Sequence, residues 1–244
     1  MNKYRLELSY KGTKYKGWQK QPNQETVQNT LEDCLSNVLR SPIKVHGCGR
    51  TDAGVHANQY FADFSIQNGF DYDLPFRLNK VLPNDIAIRS CIKIPLKANA
   101  QLDASSRTYV YHIHFEKDPF LTELSTYYEA TSLDISILEK LGNQVLGKTD
   151  FRSFCKRPDL YKHTFCQISE SKWSVNEKKA SYTIEGDRFL HGMVRLLVGA
   201  MLEVAYGRMA ESTFLECLQN QTALEHYNYA YPQGLYLAKI KYPS

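Results

Sequence analysis

The chain has 244 residues, 43% hydrophobic and 23% charged, with 30 Lys and Arg against 26 Asp and Glu. These values exclude disordered, collagenous and membrane-spanning compositions and describe a globular protein able to bury a core without disulfides or structural metal. The net charge of +4 is too small to name a partner. Tyrosine is abundant, at 17 residues.

Met1-Asn2-Lys3-Tyr4-Arg5-Leu6 alternates like a strand and carries no apolar leader, so the protein is expected to stay in the cytoplasm. The cysteines at 34, 48, 91, 155, 166 and 217 lack CxxC spacing, which argues for reduced thiols rather than a metal site or a disulfide framework.

Lys3 to Tyr10 reads as a strand, followed by a basic, glycine-punctuated loop from Lys11 to Pro22. Val27, Leu31, Cys34, Leu35, Val38 and Leu39 then form one helical stripe that Pro42 ends. Strands are expected at Ile43 to Gly47 and Asn58 to Phe64, with Gly49-Arg50-Thr51-Asp52-Ala53-Gly54 between them. A short helix at Pro75 to Leu82 and strands at Ile86 to Ile92 and Arg107 to Phe115 follow, the last with Tyr109 and Tyr111 on one face. Asp134 is placed to cap a helix through Leu146. Strands at Ile168 to Val175 and Ala180 to Glu185, helices at Phe189 to Ala205 and Glu211 to Gln219, and a strand at Leu235 to Lys241 complete an α+β pattern. A soft boundary near 100 to 105 gives two subdomains, 1–103 and 104–244.

The loop at 49–54 presents a lone carboxylate between glycines that permit a tight turn and close approach of a ligand. An Asx-turn is the plain structural reading of Asp52. Arg195 lies in the most apolar helix, where it reads as an arginine whose stem packs while its head reaches water. Tyr109 reads as a sheet-face aromatic. His112 and His114 share a strand face but have no third ligand at metal-binding spacing. Lys14 and Lys16, with aromatics interleaved, and Lys156, Arg157 and Lys162 in the second half suit either phosphate contacts or a solvated face.

Gly49-Arg50-Thr51-Asp52-Ala53-Gly54-Val55-His56 nevertheless resembles the signature of the TruA-type tRNA pseudouridine synthases. Tyr15-Lys16-Gly17-Trp18-Gln19, Thr26-Val27-Gln28, Leu82-Pro83-Asn84-Asp85-Ile86, Ala104-Ser105-Ser106-Arg107-Thr108-Tyr109, Asp150-Phe151-Arg152-Ser153-Phe154, Phe189-Leu190-His191-Gly192-Met193-Val194-Arg195 and Gly234-Leu235-Tyr236-Leu237 are similar to the family's other motifs, in order. The resemblance spans essentially the whole chain. It implies a fold of two packed α+β subdomains with a mixed, mostly antiparallel central sheet and a basic cleft.

The resemblance also implies a reaction: conversion of uridine to pseudouridine in the anticodon arm of tRNA, at positions 38–40, without metal or small-molecule cofactor. Asp52 becomes the catalytic carboxylate, serving oxocarbenium character at ribose C1′ either by adding to it or by drawing off a ribose proton. Arg195 becomes its ion-pair partner, and Tyr109 the ring that stacks on the target uracil. Arg50 resembles the arginine that enters the RNA where the flipped nucleotide leaves, with a phosphate contact or a turn-stabilising bond as its alternatives. A homodimer sharing one tRNA, with no membrane association, is implied as well.

Two segments depart from the family pattern. Asn99-Ala100-Gln101 stands where His-Ala-Arg is usual, and Thr164-Phe165-Cys166-Gln167 where Thr-Pro-x-Arg is common. They leave open a paralogue acting on another RNA uridine, and a non-catalytic protein that binds structured RNA.

Overall fold

A computed structural model describes residues 1–130, 133–219 and 228–243. In chain order the elements are β1 (Asn2–Tyr10), α1 (Val27–Leu39), β2 (Val45–Gly47), β3 (His56–Ile66), α2 (Leu74–Val81), β4 (Ile86–Ile94), β5 (Ser106–His114), β6 (Thr126–Tyr127), α3 (Ile135–Gln144), β7 (Gly147–Asp150), β8 (Phe165–Val175), β9 (Lys179–Gly186), α4 (Met193–Ala205), α5 (Glu211–Gln219) and β10 (Leu235–Lys241). The α+β class read from the sequence is the observed one. The chain divides into two compact units, Met1–Ser105 with Tyr236–Ser244, and Ser106–Leu235.

The sheet of the first unit runs β4-β1-β3-β10, with β2 also on β3. β1 pairs antiparallel with β3 and β4, whereas β10 joins β3 in parallel through Tyr236↔His56 and Leu237↔Ala57. The apolar stripe of α1 is buried at Val27, Leu31 and Leu35. Thr26 caps this helix by accepting from Asn29 N, and Arg40 ends it in the left-handed conformation. Leu6, Leu8, Tyr60 and Phe64 are fully buried and supply the strand side of this core.

One ion pair lies inside the first unit. Arg5 donates from Nε and NH2 to Asp63 at 2.7 and 2.9 Å, and both residues are buried. Asp63 also accepts from the Ala100 amide at 2.7 Å, and Tyr242 lies 4.4 Å beneath the Arg5 guanidinium while its hydroxyl donates to the Ala100 carbonyl. The pair therefore ties two central strands to the connection after β4 and to the C-terminus.

In the second unit the order is β5-β9-β8-β7, all antiparallel, with β6 parallel to β5. Tyr111, Tyr182 and Trp173 form one row across three strands, and Trp173 Nε1 donates to Met201 Sδ of α4 at 3.2 Å. Asp134 caps α3 by accepting from Ser136 N, as its position in the sequence suggests. The α4 helix begins at Met193 rather than Phe189, because Gly192 adopts a left-handed φ of 74° and breaks the run one turn late. All of its residues are buried except Arg195 and Glu203, which are half-buried.

Replacing Asp63 by Ala would strand the Arg5 charge in the interior, so a loss of about 3–5 kcal/mol is expected in urea denaturation. An unchanged unfolding midpoint would contradict that role for the pair.

Candidate active site

Asp52 opens a β-turn closed by Val55 N donating to the Asp52 carbonyl at 3.2 Å, with Gly54 left-handed at φ 79°. The side chain of Asp52 is half-buried and Thr51 is buried beside it. Gly49 differs from its sequence reading. A side chain there would meet nothing within 4 Å, and what matters is its carbonyl, which accepts from Tyr60 Oη at 2.6 Å.

Close approach occurs instead on the neighbouring loop. Trp18 N donates to the Thr51 carbonyl at 3.1 Å, and Gly54 N donates to the Tyr15 carbonyl at 3.2 Å. Gly17 makes this clamp possible: its φ is +88°, and a Cβ would fall 2.5 Å from Thr51 O. A Cβ on Gly12 would collide with the Val55 carbonyl, and Gly12 N donates to His56 Nδ1 at 3.0 Å. His56 is thus a buried acceptor that holds the loop.

Side chains reinforce the same clamp. Tyr10 Oη lies 2.8 Å from Thr51 Oγ1, and Trp18 stacks on Tyr60 with ring centroids 4.0 Å apart. Tyr15 Oη donates to Asp85 at 2.6 Å, and Lys11 N donates to the Asp85 carbonyl at 2.8 Å. Burial and this bond push the Tyr15 phenol above the usual tyrosine range, so it stays a donor. Val27 N and Gln28 N donate to the Gly17 and Trp18 carbonyls, anchoring the loop to the start of α1. The motif at 15–19 therefore bonds the Asp52 turn directly, and those at 26–28 and 82–86 brace that loop.

Tyr109 and Arg195 belong to the second unit. Tyr109 is half-buried on β5, its ring edge-on to Phe189 at 5.0 Å and 79°. Arg195 Nε donates to the Ala230 carbonyl at 2.7 Å, and Ala230 N donates to the Arg195 carbonyl. Its guanidinium carbon lies 5.4 Å from the Tyr229 ring. These contacts fix the side chain more firmly than a snorkelling arginine requires. They exist because Gly199 lets the 228–230 segment cross α4, where a Cβ would collide with the Asn228 carbonyl.

Lys14, Lys16 and Arg50 are exposed on the clamped loops of the first unit. Among the described residues the Arg50 side chain makes no hydrogen bond or ion pair. Lys156 and Arg157 are exposed in the second unit, with Lys156 Nζ 5.9 Å from the Tyr229 ring. Asn99 Oδ1 accepts from Gln101 N and Leu102 N, capping its own turn.

A family model described as tRNA pseudouridine synthase matches residues 143–243, which places the chain among the enzymes that isomerise uridine in RNA. The tRNA pseudouridine synthase A of Azobacteroides pseudotrichonymphae is 36% identical over 245 residues, spanning 100% of this chain and 98% of that protein. The proteins of the same name from Parabacteroides distasonis and Porphyromonas gingivalis are each 36% identical, again over 100% of this chain and over 97% and 98% of theirs. The chain belongs to the tRNA pseudouridine synthase A family.

Sequence reasoning missed Tyr10, Tyr15, Tyr60 and Asp85 as supports of the turn, and Phe189, Tyr229 and Ala230 as supports of Tyr109 and Arg195. Only the recurrence of the flanking motifs hinted at them. Tyr60→Phe would leave the Gly49 carbonyl without this donor, costing about 0.5–1.5 kcal/mol of stability. A larger fractional loss in turnover than in folded population, measured on the same samples, is expected if the bond sets the turn's geometry. Equal losses would reduce Tyr60 to a packing residue.

Proposed function

We propose that this chain isomerises uridine to pseudouridine in the anticodon arm of tRNA, at positions 38–40, with Asp52 as its catalytic carboxylate. The observation that carries this reading is the clamping of the half-buried Asp52 turn by the family motif at 15–19, which the motifs at 26–28 and 82–86 brace in turn. A carboxylate held by its main chain costs little reorganisation when charge develops opposite it.

In this reading the bond from ribose C1′ to uracil N1 breaks, leaving electron deficiency at C1′ and an electron-rich uracil. The Asp52 carboxylate either adds to C1′ or removes a ribose proton, and both routes need it ionised. The Arg195 guanidinium, oriented through Ala230, favours that ionised form by pairing with it. Uracil turns against the Tyr109 ring and re-bonds through C5, and loss of the C5 proton restores its aromaticity. Arg50, Lys14, Lys16, Lys156 and Arg157 contact RNA phosphates, so binding weakens steeply with salt. The protein acts as a cytoplasmic homodimer, and no residue role requires a cofactor.

Capture of the Asn99 side chain by its own turn favours a second reading for target choice alone, in which the same chemistry falls on another uridine.

A tRNA transcript carrying hydrogen isotope at uridine C5 tests the chemistry. Wild type is expected to release label, and Asp52→Ala to release none while binding the same RNA. Release by the alanine variant would overturn the role of Asp52, and binding without release by wild type would favour an RNA-binding protein. Mapping which uridines change decides between positions 38–40 and another site. Tyr109→Ala, losing about 1–3 kcal/mol of stacking, should lower kcat/KM by about 5- to 150-fold. Tyr109→Phe should keep most of the rate, and an equal loss in both variants would assign the function to the hydroxyl instead.

A further inference from the structure

The second unit contains a cavity of about 360 Å³ that none of the proposed isomerase residues enters. Its floor is a polar row across three strands. His112 of β5 faces Ser181 of β9, which faces Ser174 of β8, in steps of about 5 Å. Alternation along β5 puts this row on the sheet face opposite Tyr109 and Tyr111.

The charge of this cavity has one sign. Lys179 lines it, no carboxylate does, and among the described residues Lys179 has no ion pair. The adjacent Lys178 is already matched by Glu116 at 3.2 Å. Asn176 uses Oδ1 to accept from the Lys178 and Lys179 amides, which orients its remaining amide group as a donor. Burial, together with the nearby Lys179 charge, holds His112 below the ordinary imidazole range, and burial lowers His114 too, where the opposing charge of Asp118 outweighs that of Lys179. One ammonium, one amide and the hydroxyls of Ser125, Ser174 and Ser181 thus line a space with no carboxylate in its wall. Against them stands an apolar wall, Leu121 and the exposed Leu124.

We propose that this cavity binds a phosphoryl oxyanion, with the dianion at Lys179, Ser174 and Ser181 and the organic body of the ligand against Leu121 and Leu124. Lysine supplies a point charge and the hydroxyls and amide supply directional donors, the combination a phosphate group needs. The apolar wall favours a phosphate ester over the inorganic ion. Two sources share this chemistry, a free nucleoside monophosphate and a phosphate of bound RNA. The assignment stands independently of the isomerase reading.

Titration of the full chain with inorganic phosphate, then with uridine 5′-monophosphate, at constant ionic strength tests it, read from the ring resonances of His112. A saturable shift is expected with both, tighter for the ester by at least threefold. Lys179→Met and Ser181→Ala, both at partly or fully exposed positions, should each weaken binding at least tenfold without changing the thermal midpoint. A shift reproduced by chloride, a shift that never saturates, or unaltered affinity in Lys179→Met would overturn the site. If tRNA displaces uridine 5′-monophosphate from His112 the phosphate belongs to RNA, and if both bind together the ligand is free. Either result supports the oxyanion site.

Discussion

A main-chain clamp between two loops underlies the first unit's candidate site. Trp18 N and Gly54 N each reach across to the carbonyl of the opposite loop, so peptide groups hold the turn bearing Asp52. Such bonds form only if the backbones meet without intervening side chains, and Gly17 satisfies that steric demand with a left-handed φ. The energetic return per bond is modest, about 1 kcal/mol net. The larger consequence is geometric: Tyr10, Tyr60, Tyr15 and Asp85 all act on the clamp, so the turn that carries Asp52 is held in a fixed frame.

The second unit reaches a similar end with a helix. Gly199 lets the 228–230 segment lie directly across α4, and that crossing is what lets the Ala230 carbonyl take the Arg195 Nε proton. Arg195 would otherwise be one long side chain on an apolar helix, with about 2 kcal/mol of rotamer freedom to lose when it meets a partner. Pre-ordering it removes part of that cost. Phe189 does the same for Tyr109, setting the ring by an edge contact.

Local periodicity made α1, β1 and β5 legible, because a helical stripe ended by Pro42 and strict strand alternation are encoded within a dozen or so residues. The α+β class follows from the same signals. The parallel pairing of β10 with β3 was not legible, since it joins positions about 180 residues apart and parallel pairing leaves no local signature. The two-residue β6 and four-residue β7 are too short for any pattern to distinguish from loops. At the candidate site, Asp52, Tyr109 and Arg195 came from a resemblance rather than from spacing. The roles of Tyr10, Tyr15 and Tyr60 were hidden because a tyrosine that packs and a tyrosine that supports a turn occupy the same alternating positions.

Amide hydrogen exchange on Gly17→Ala, run beside isotope release from uridine C5, bears most directly on the clamp. The Gly54 and Trp18 amides should lose protection and turnover should fall with them, while the Ala230 amide keeps its protection and reports that the second unit remains folded. Full turnover with those two amides unprotected would contradict the account, because the Asp52 turn would then need no clamp to work.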